Sequence, residues 1–151
     1  LVPFTEIQEA IRDDAPEGYR TILYRRMMQR IATKIAKRSR GKAILTGESI
    51  GQVASQTLSN IACIEEASSL PVLRPLIGLD KLETILVARQ IGTFDISNLP
   101  EPDCCTVFMP RGPVIHGQLE YCHSAEAGLD MKGLVDRALN GIEVMDIEAH
   151  G

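Results

Sequence analysis

No apolar run in the 151 residues approaches the roughly 20 needed for a membrane-spanning helix, so no membrane partner is expected. The opening residues LVPFTEIQEA hold no basic stretch followed by an apolar core and do not read as a secretory leader. Four cysteines at irregular spacing are not a secreted disulfide framework, and reduced thiols in the cytoplasm are the expectation. There is no internal repeat and no low-complexity segment. The chain also lacks an initiator methionine, and LVPF reads as a strand already under way, so a piece of a longer polypeptide is expected. Positive charge is not in excess. A net charge of −4 argues against nucleic acid held over the whole surface, yet nine of the sixteen basic residues lie between Arg20 and Lys42, which leaves room for a local basic face. What remains, 44% hydrophobic and 24% charged, is enough for one globular domain with a core.

The pattern alternates strands and helices. Residues 1–4 read as the end of a strand, and Thr5 with Gln8 resembles a capping box opening a short helix, TEIQEAIRDD, that stops before Pro16. From Tyr19 to Arg38, Leu23, Met27, Ile31 and Ile35 recur at i+4 with Tyr24 and Met28 beside them, an amphipathic helix closed by Gly41. KAILTG (42–47) is a short apolar strand, and a helix is predicted over Gln52–Glu66. A further strand lies in 71–79, with Pro75 marking its end or an edge. Asp80 and Glu83 form a second capping box for the helix LETILVARQI, stopped by Gly92. A long loop, 93–118, holds four of the eight prolines and the pair Cys104–Cys105. A helix over Asp130–Leu139, stopped by Gly141, and a strand IEVMDIE close the chain. The fold class expected is α/β, with a mostly parallel sheet flanked by helices.

In such a sheet, ligands bind beyond the carboxyl ends of strands and at helix N-termini. TGESIGQVASQT runs from a strand end through Gly47 and Gly51 to Gln52, Ser55, Gln56 and Thr57, where bare backbone, amides and hydroxyls suit a nucleotide. By itself the segment reads more readily as a glycine turn before a polar, capped helix. On the helix 19–38, a 100° step groups Arg26, Arg30, Lys34 and Lys37 beside the apolar stripe and leaves Arg25 on another face. A solvated face or an RNA platform would account for the stripe, and an ion pair or a phosphate contact for Arg25. Adjacent cysteines cannot pair with each other: neighbouring Cα atoms are about 3.8 Å apart, and an unstrained disulfide needs roughly 4.4–6.8 Å. Zinc hooks use C-x2–4-C spacing, which Cys104, Cys105 and the Cys122-His123 pair do not offer, so no metal site is expected. Burial, a disulfide to Cys63 or Cys122, and sulfur chemistry remain open for Cys104 and Cys105. His116, His123 and His150 show no nucleophile–base pattern and read as exposed polar residues.

Taken in order, LVPFTEIQ, YRTILYRRMMQRIA, AILTGESIGQVASQTLSNI, PVLRPLIGLDKLETILVARQIGTFDIS, EPDCC and LVDRALNGIEVMDIE resemble the C-terminal part of the catalytic domain of the tRNA 4-thiouridine synthetases. These are also called tRNA sulfurtransferases or thiamine biosynthesis proteins. The resemblance covers nearly all of residues 1–151, is weakest at 106–128, and is most specific in TGESIGQVASQT followed by LRPLIGLDK. It implies a pyrophosphatase-loop, adenine nucleotide alpha hydrolase-like fold, present here as a partial domain. It also implies an enzyme that uses ATP, with Mg2+, to adenylate the C4 oxygen of a tRNA uridine and then exchanges that oxygen for sulfur. The same family is linked to sulfur delivery for the thiazole of thiamine. By matching, Arg25, Gly47 and Gln56 fall on ATP-contacting positions and Cys104 on the catalytic cysteine, with Cys105 one residue of register away. Asp103 by itself raises a neighbouring thiol's pKa, so activation has to come from a helix end or from Arg74.

The resemblance has departures. The family's Ser-Gly-Gly-x-Asp-Ser phosphate loop, its N-terminal tRNA-binding region and a rhodanese-like extension do not occur in these residues. The expectation is therefore that this piece alone is inactive. Sulfur would then come from a cysteine desulfurase or another persulfide donor, directly or through a sulfur-carrier protein. A homodimer is expected. The alternative is a non-catalytic dimerisation or RNA-interaction module derived from this fold.

Overall fold

The second helix organises everything else. In the computed structural model, which describes residues 1–100, 108 and 110–146, α1 spans Thr5–Asp14 and α2 Arg20–Arg38. The i+4 series Leu23, Met27 and Ile31 is buried as the spacing requires, and Ile22 and Tyr24 widen the stripe. Against it lie Ile7 and Ile11 of α1, Ile64 of α3 (Leu58–Glu65), Cys122 of α6 (Leu119–Glu126), and Leu134, Val135 and Leu139 of α7 (Met131–Asn140). Between α3 and α6 run α4 (Lys81–Gln90) and α5 (Phe94–Ser97). Among the described residues no helix is long and apolar enough to cross a membrane.

The sheet is smaller than the alternation suggests. Two parallel strands, β1 (Ile44–Leu45) and β2 (Val72–Leu73), pair Ile44 with Val72 and Leu45 with Leu73. The fold is thus α/β and helix-rich. The strand expected at 1–4 is absent: Pro3 has no N–H to donate, Leu1 alone bonds across to another segment, with Glu143, at 2.6 and 3.0 Å, and Phe4 O already accepts from Gln8 N of the helix. The terminal strand is likewise absent over 142–146, where Val144 is largely exposed with no ladder to join; the end of IEVMDIE lies outside the described residues.

Local chemistry explains the helix boundaries. The expected Thr5–Gln8 capping box is not formed: Phe4 is the N-cap residue without a side-chain bond, and Thr5 already lies inside the helix. The Asp80–Glu83 box is formed in both directions, at 2.9 and 2.8 Å. The helix expected from Gln52 to Glu66 is broken, because Thr57 adopts an extended conformation and turns its hydroxyl to cap Asn60 N at 3.2 Å. Ahead of it, Ala54–Gln56 forms a separate 3-10 turn. The helix α6 has no periodic apolar signature, since its buried residues are Cys122 and a charged one, Glu126.

Glu126 explains the fate of the basic stripe on α2. Arg26 is not on a solvated face but fully buried. It donates to Glu126 at 2.7 and 3.1 Å, to Glu66 at 2.9 Å and to the Cys63 carbonyl. Arg30 adds a bidentate pair to the same Glu126 carboxylate, both bonds at 2.8 Å.

Candidate functional site

Both strands end in one charged knot. Leaving β1, the chain presents Thr46, Gly47 and Glu48, and Glu48 is 1% exposed. Its Oε1 accepts from Arg25 Nη2 at 2.5 Å, and its Oε2 from Arg74 Nε at 2.6 Å and Thr46 Oγ1 at 3.0 Å. Arg74, one residue past β2, also donates to Glu65 at 2.7 Å. Burial by itself would lower the pKa of this guanidinium, but Glu48 and then Glu65 outweigh it and hold the group firmly protonated. Arg25 completes the knot by donating to Ser55 Oγ at 3.2 Å. Its place off the basic stripe of α2 is what brings it here.

The knot sits at the carboxyl end of a parallel sheet, where ligand sites form. Arg25 spends two donors on Glu48 and Ser55, and its side chain remains 27% exposed. A Cβ built on Gly47 would meet nothing within 4 Å, so the backbone there borders open space. Gly51 makes the return, with φ +76, a region that disfavours other residues. Its N–H donates to Gln56 O at 3.0 Å, and Ile50 N donates to Ile77 O at 3.1 Å. Within the 3-10 turn, Gln56 Oε1 is buried without a donor among the described residues, a feature unusual in a native fold. Arg25, Gly47 and Gln56 therefore come to one end of the sheet from three separate segments. Sequence reasoning missed Glu48; an acid directly after a strand-end glycine, within reach of two arginines, was the available signal.

Cys104 and Cys105 lie outside the described residues. The structure does describe where the chain goes afterwards. Val114 N donates to Gly18 O at 3.0 Å, and Thr57 Oγ1 to Ile115 O at 2.7 Å. Asn60, fully buried, donates through Nδ2 to Ala54 O and Val114 O, each at 2.7 Å, and accepts at Oδ1 from Gly117 N, also at 2.7 Å. A Cβ on Gly117 would fall 2.6 Å from that oxygen, so the close approach requires glycine. The loop downstream of the cysteines is thus pinned to the turn that carries Ser55 and Gln56. Arg74, one of the groups expected from the sequence to lower a thiol's pKa, is already bonded to two carboxylates.

The remaining thiols have a different character. Cys63 and Cys122 are free and buried, and neither is joined to the other by a disulfide. Burial first, and then the neighbouring Cys63, push the Cys122 thiol up to about 12, which leaves almost no thiolate at neutral pH. An aromatic disulfide reagent is expected to label these two only on the timescale of unfolding; labelling of Cys122 in the native state within minutes would contradict its burial. Among the described residues no group of three or more His, Cys, Asp or Glu could hold a metal ion. His116 is exposed, and His123 lies 3.3 Å from Glu66.

Comparison with known proteins identifies the family. Residues 1–131 match the family described as Thiamine biosynthesis protein (ThiI). A probable tRNA sulfurtransferase of Limosilactobacillus fermentum is 49% identical over 148 residues, which are 98% of this chain and 36% of that protein. A second, from Geobacillus kaustophilus, is 48% identical over 148 residues, 98% of this chain and 37% of that one. The chain thus spans little more than a third of the length of the curated relatives it matches. Among solved structures, a 4-thiouridine synthetase in complex with RNA and with bound ATP superposes with a TM-score of 0.87 at 40% identity, covering 93% of this chain and 36% of that one.

Proposed function

The chain belongs to the thiamine biosynthesis protein (ThiI) family, and on that premise we propose that it is the C-terminal part of the catalytic domain of an ATP-dependent tRNA sulfurtransferase. The product is 4-thiouridine. The observation that carries this reading is the convergence of Arg25, Gly47 and Gln56 at the carboxyl end of β1, on a fold whose solved relative holds ATP and RNA.

The residues fit a nucleotide. Arg25 supplies a permanent positive charge for phosphate, held in place by Glu48 and Ser55. Gly47 leaves room for the ligand against the backbone, and the orphaned Gln56 Oε1 fits a ligand that donates there, as an adenine amino group does. ATP, with Mg2+, supplies the activation of the uridine C4 oxygen, releasing pyrophosphate. The thiol of Cys104, or of its neighbour Cys105, then carries the sulfur as a persulfide loaded by a cysteine desulfurase or a comparable donor: its outer sulfur attacks C4, AMP leaves, and a thiol of the donor or of a cellular reductant cleaves the resulting S–S bond, releasing 4-thiouridine and leaving a disulfide that a further thiol reduces. The phosphate loop is contributed by sequence outside these residues. The enzyme works in the cytoplasm, as a homodimer. Sulfur transfer toward the thiamine thiazole, through a sulfur-carrier protein, rests on the family description alone.

The test uses the full-length protein. Arg25→Ala is expected to weaken ATP binding by about 10- to 150-fold, the loss of a charge-assisted hydrogen bond worth roughly 1.5–3 kcal/mol. Of Cys104→Ala and Cys105→Ala, one is expected to abolish 4-thiouridine in digested tRNA, read by mass spectrometry, while ATP binding persists. Normal thiolation by the double variant would sink the sulfur-carrier role, and unchanged ATP binding by Arg25→Ala would sink the nucleotide site.

A further inference from the structure

In the sequence, Arg26, Arg30, Lys34 and Lys37 form one basic stripe, and folding divides it. The N-terminal half is neutralised inside the protein by Glu126 and Glu66. The C-terminal half opens on a groove of about 380 Å³ between α2, the residues after α3 and the first turns of α7. Arg30, Lys34, Lys37 and Lys132 line it, together with Thr33 and Ser69. Lys132 comes from far along the chain, so the cluster exists only in the folded protein.

The charge balance in this groove is one-sided. Arg30 is spent on Glu126 and Lys34 on Asp136, at 2.8 Å each. Lys37 instead donates to the neutral hydroxyl of Ser69 at 2.7 Å. Among the described residues, no carboxylate lies within ion-pair distance of Lys37, Arg38 or Lys132. Asp136 feels Lys34 first and then Lys132 and Arg38, so one acid faces three cations. In a chain of net charge −4 this is a local concentration of positive charge.

We propose that the groove between α2 and α7, with Lys37 and Lys132 as its free cations, seats the phosphodiester backbone of the tRNA substrate. The proposal rests on the tRNA sulfurtransferase reading above and adds to it a contact surface remote from the nucleotide knot. Lys37 lies twelve residues beyond Arg25 on the same helix, roughly 18 Å along its axis at 1.5 Å per residue. Flexible ammonium groups suit phosphates, which carry no sequence information and fix register and orientation only. A substrate held at both places would be oriented with one uridine at the knot and a stretch of backbone in the groove.

The test measures tRNA affinity of the full-length protein against salt concentration. Lys37→Gln/Lys132→Gln is expected to weaken binding roughly 30-fold near 0.15 M salt and to flatten the log–log salt slope by about 2, one counterion per lost phosphate contact. ATP affinity and the unfolding midpoint should stay unchanged; Lys132→Gln alone should flatten the slope by about 1. A double variant with tRNA affinity within twofold of the parent and the same slope overturns the proposal, and an acidic protein as the true occupant of the groove would give that outcome. A parent protein that neither binds tRNA nor makes 4-thiouridine removes the underlying reading as well, so the two failures are distinguishable.

Discussion

Replacing Glu126 by alanine lowers the free energy of unfolding by about 3–5 kcal/mol, the usual cost of leaving a buried charge without its partner. Glu126 is 7% exposed and is the acceptor for two guanidiniums, one of them fully buried. Without it, Arg26 retains Glu66, whose side chain is 43% exposed, and the Cys63 carbonyl. A domain of this size has only about 5–15 kcal/mol in total, so the shift in a urea unfolding curve would be large. An unfolding midpoint within error of the parent would show that the network adds nothing to stability. The same carboxylate sets an acid limit. Burial alone pushes its pKa up, but Arg26 and then Arg30 outweigh burial and hold it below the ordinary value of 4.5. A depressed folded pKa means that the stabilisation is complete above about 4.5 and is lost as pH falls through the lower folded value. The acid loss of stability should therefore be shallower in Glu126→Ala than in the parent.

Glu48→Ala is the second change with a large expected effect, because one carboxylate holds both arginines of the site. Its loss leaves Arg74, with a side chain only 9% exposed, to Glu65 and the Val72 carbonyl, and leaves Arg25 with Ser55. Stability should fall by about 3 kcal/mol. In the full-length protein ATP affinity should fall as well, by about tenfold, since a guanidinium freed from its anchor must be ordered again on each binding event. Glu48→Gln keeps the shape and one acceptor oxygen, while its NH2 group faces the other guanidinium as a second donor, and it should lose less stability than the alanine variant. Titration calorimetry separates the roles: lower stability with unchanged ATP affinity would make Glu48 a packing residue and not a positioning one.

Legibility in the sequence followed the kind of interaction involved. Helix α2 was readable because i+4 apolar spacing acts within one or two turns, and α4 because its reciprocal cap does; α1 forms where it was expected although the Thr5–Gln8 box behind that expectation does not. The strands were readable as positions but not as lengths, since a strand extends only where a neighbour pairs with it, and β1 and β2 pair over two residues. What stayed hidden was the pairing of charges distant in sequence. Arg26 and Glu126 are a hundred residues apart, and nothing local distinguishes a stripe destined for solvent from one destined for a buried carboxylate. The same holds for α6, whose reason for packing is an ion pair. Arg25, Gly47 and Gln56 were identified by resemblance, and the structure supplies the link between them in Glu48 and Ser55. Cys104 and Cys105 fall outside the described residues.

Asn60 joins two parts of the molecule that would otherwise respond separately. Its single amide holds Ala54 in the turn before Gln56 and both Val114 and Gly117 in the loop that follows the cysteines. Such an arrangement links the two segments thermodynamically, because opening either one breaks bonds of the same amide; were a nucleotide to order the turn, as proposed, part of that free energy would be shared through Asn60 with the loop. Under the proposed function, reciprocity would make anything that steadies the loop, a docked acceptor or sulfur donor included, tighten the grip on nucleotide by the same factor. Activation and sulfur delivery would in this way be coupled by one buried side chain that contacts neither reactant.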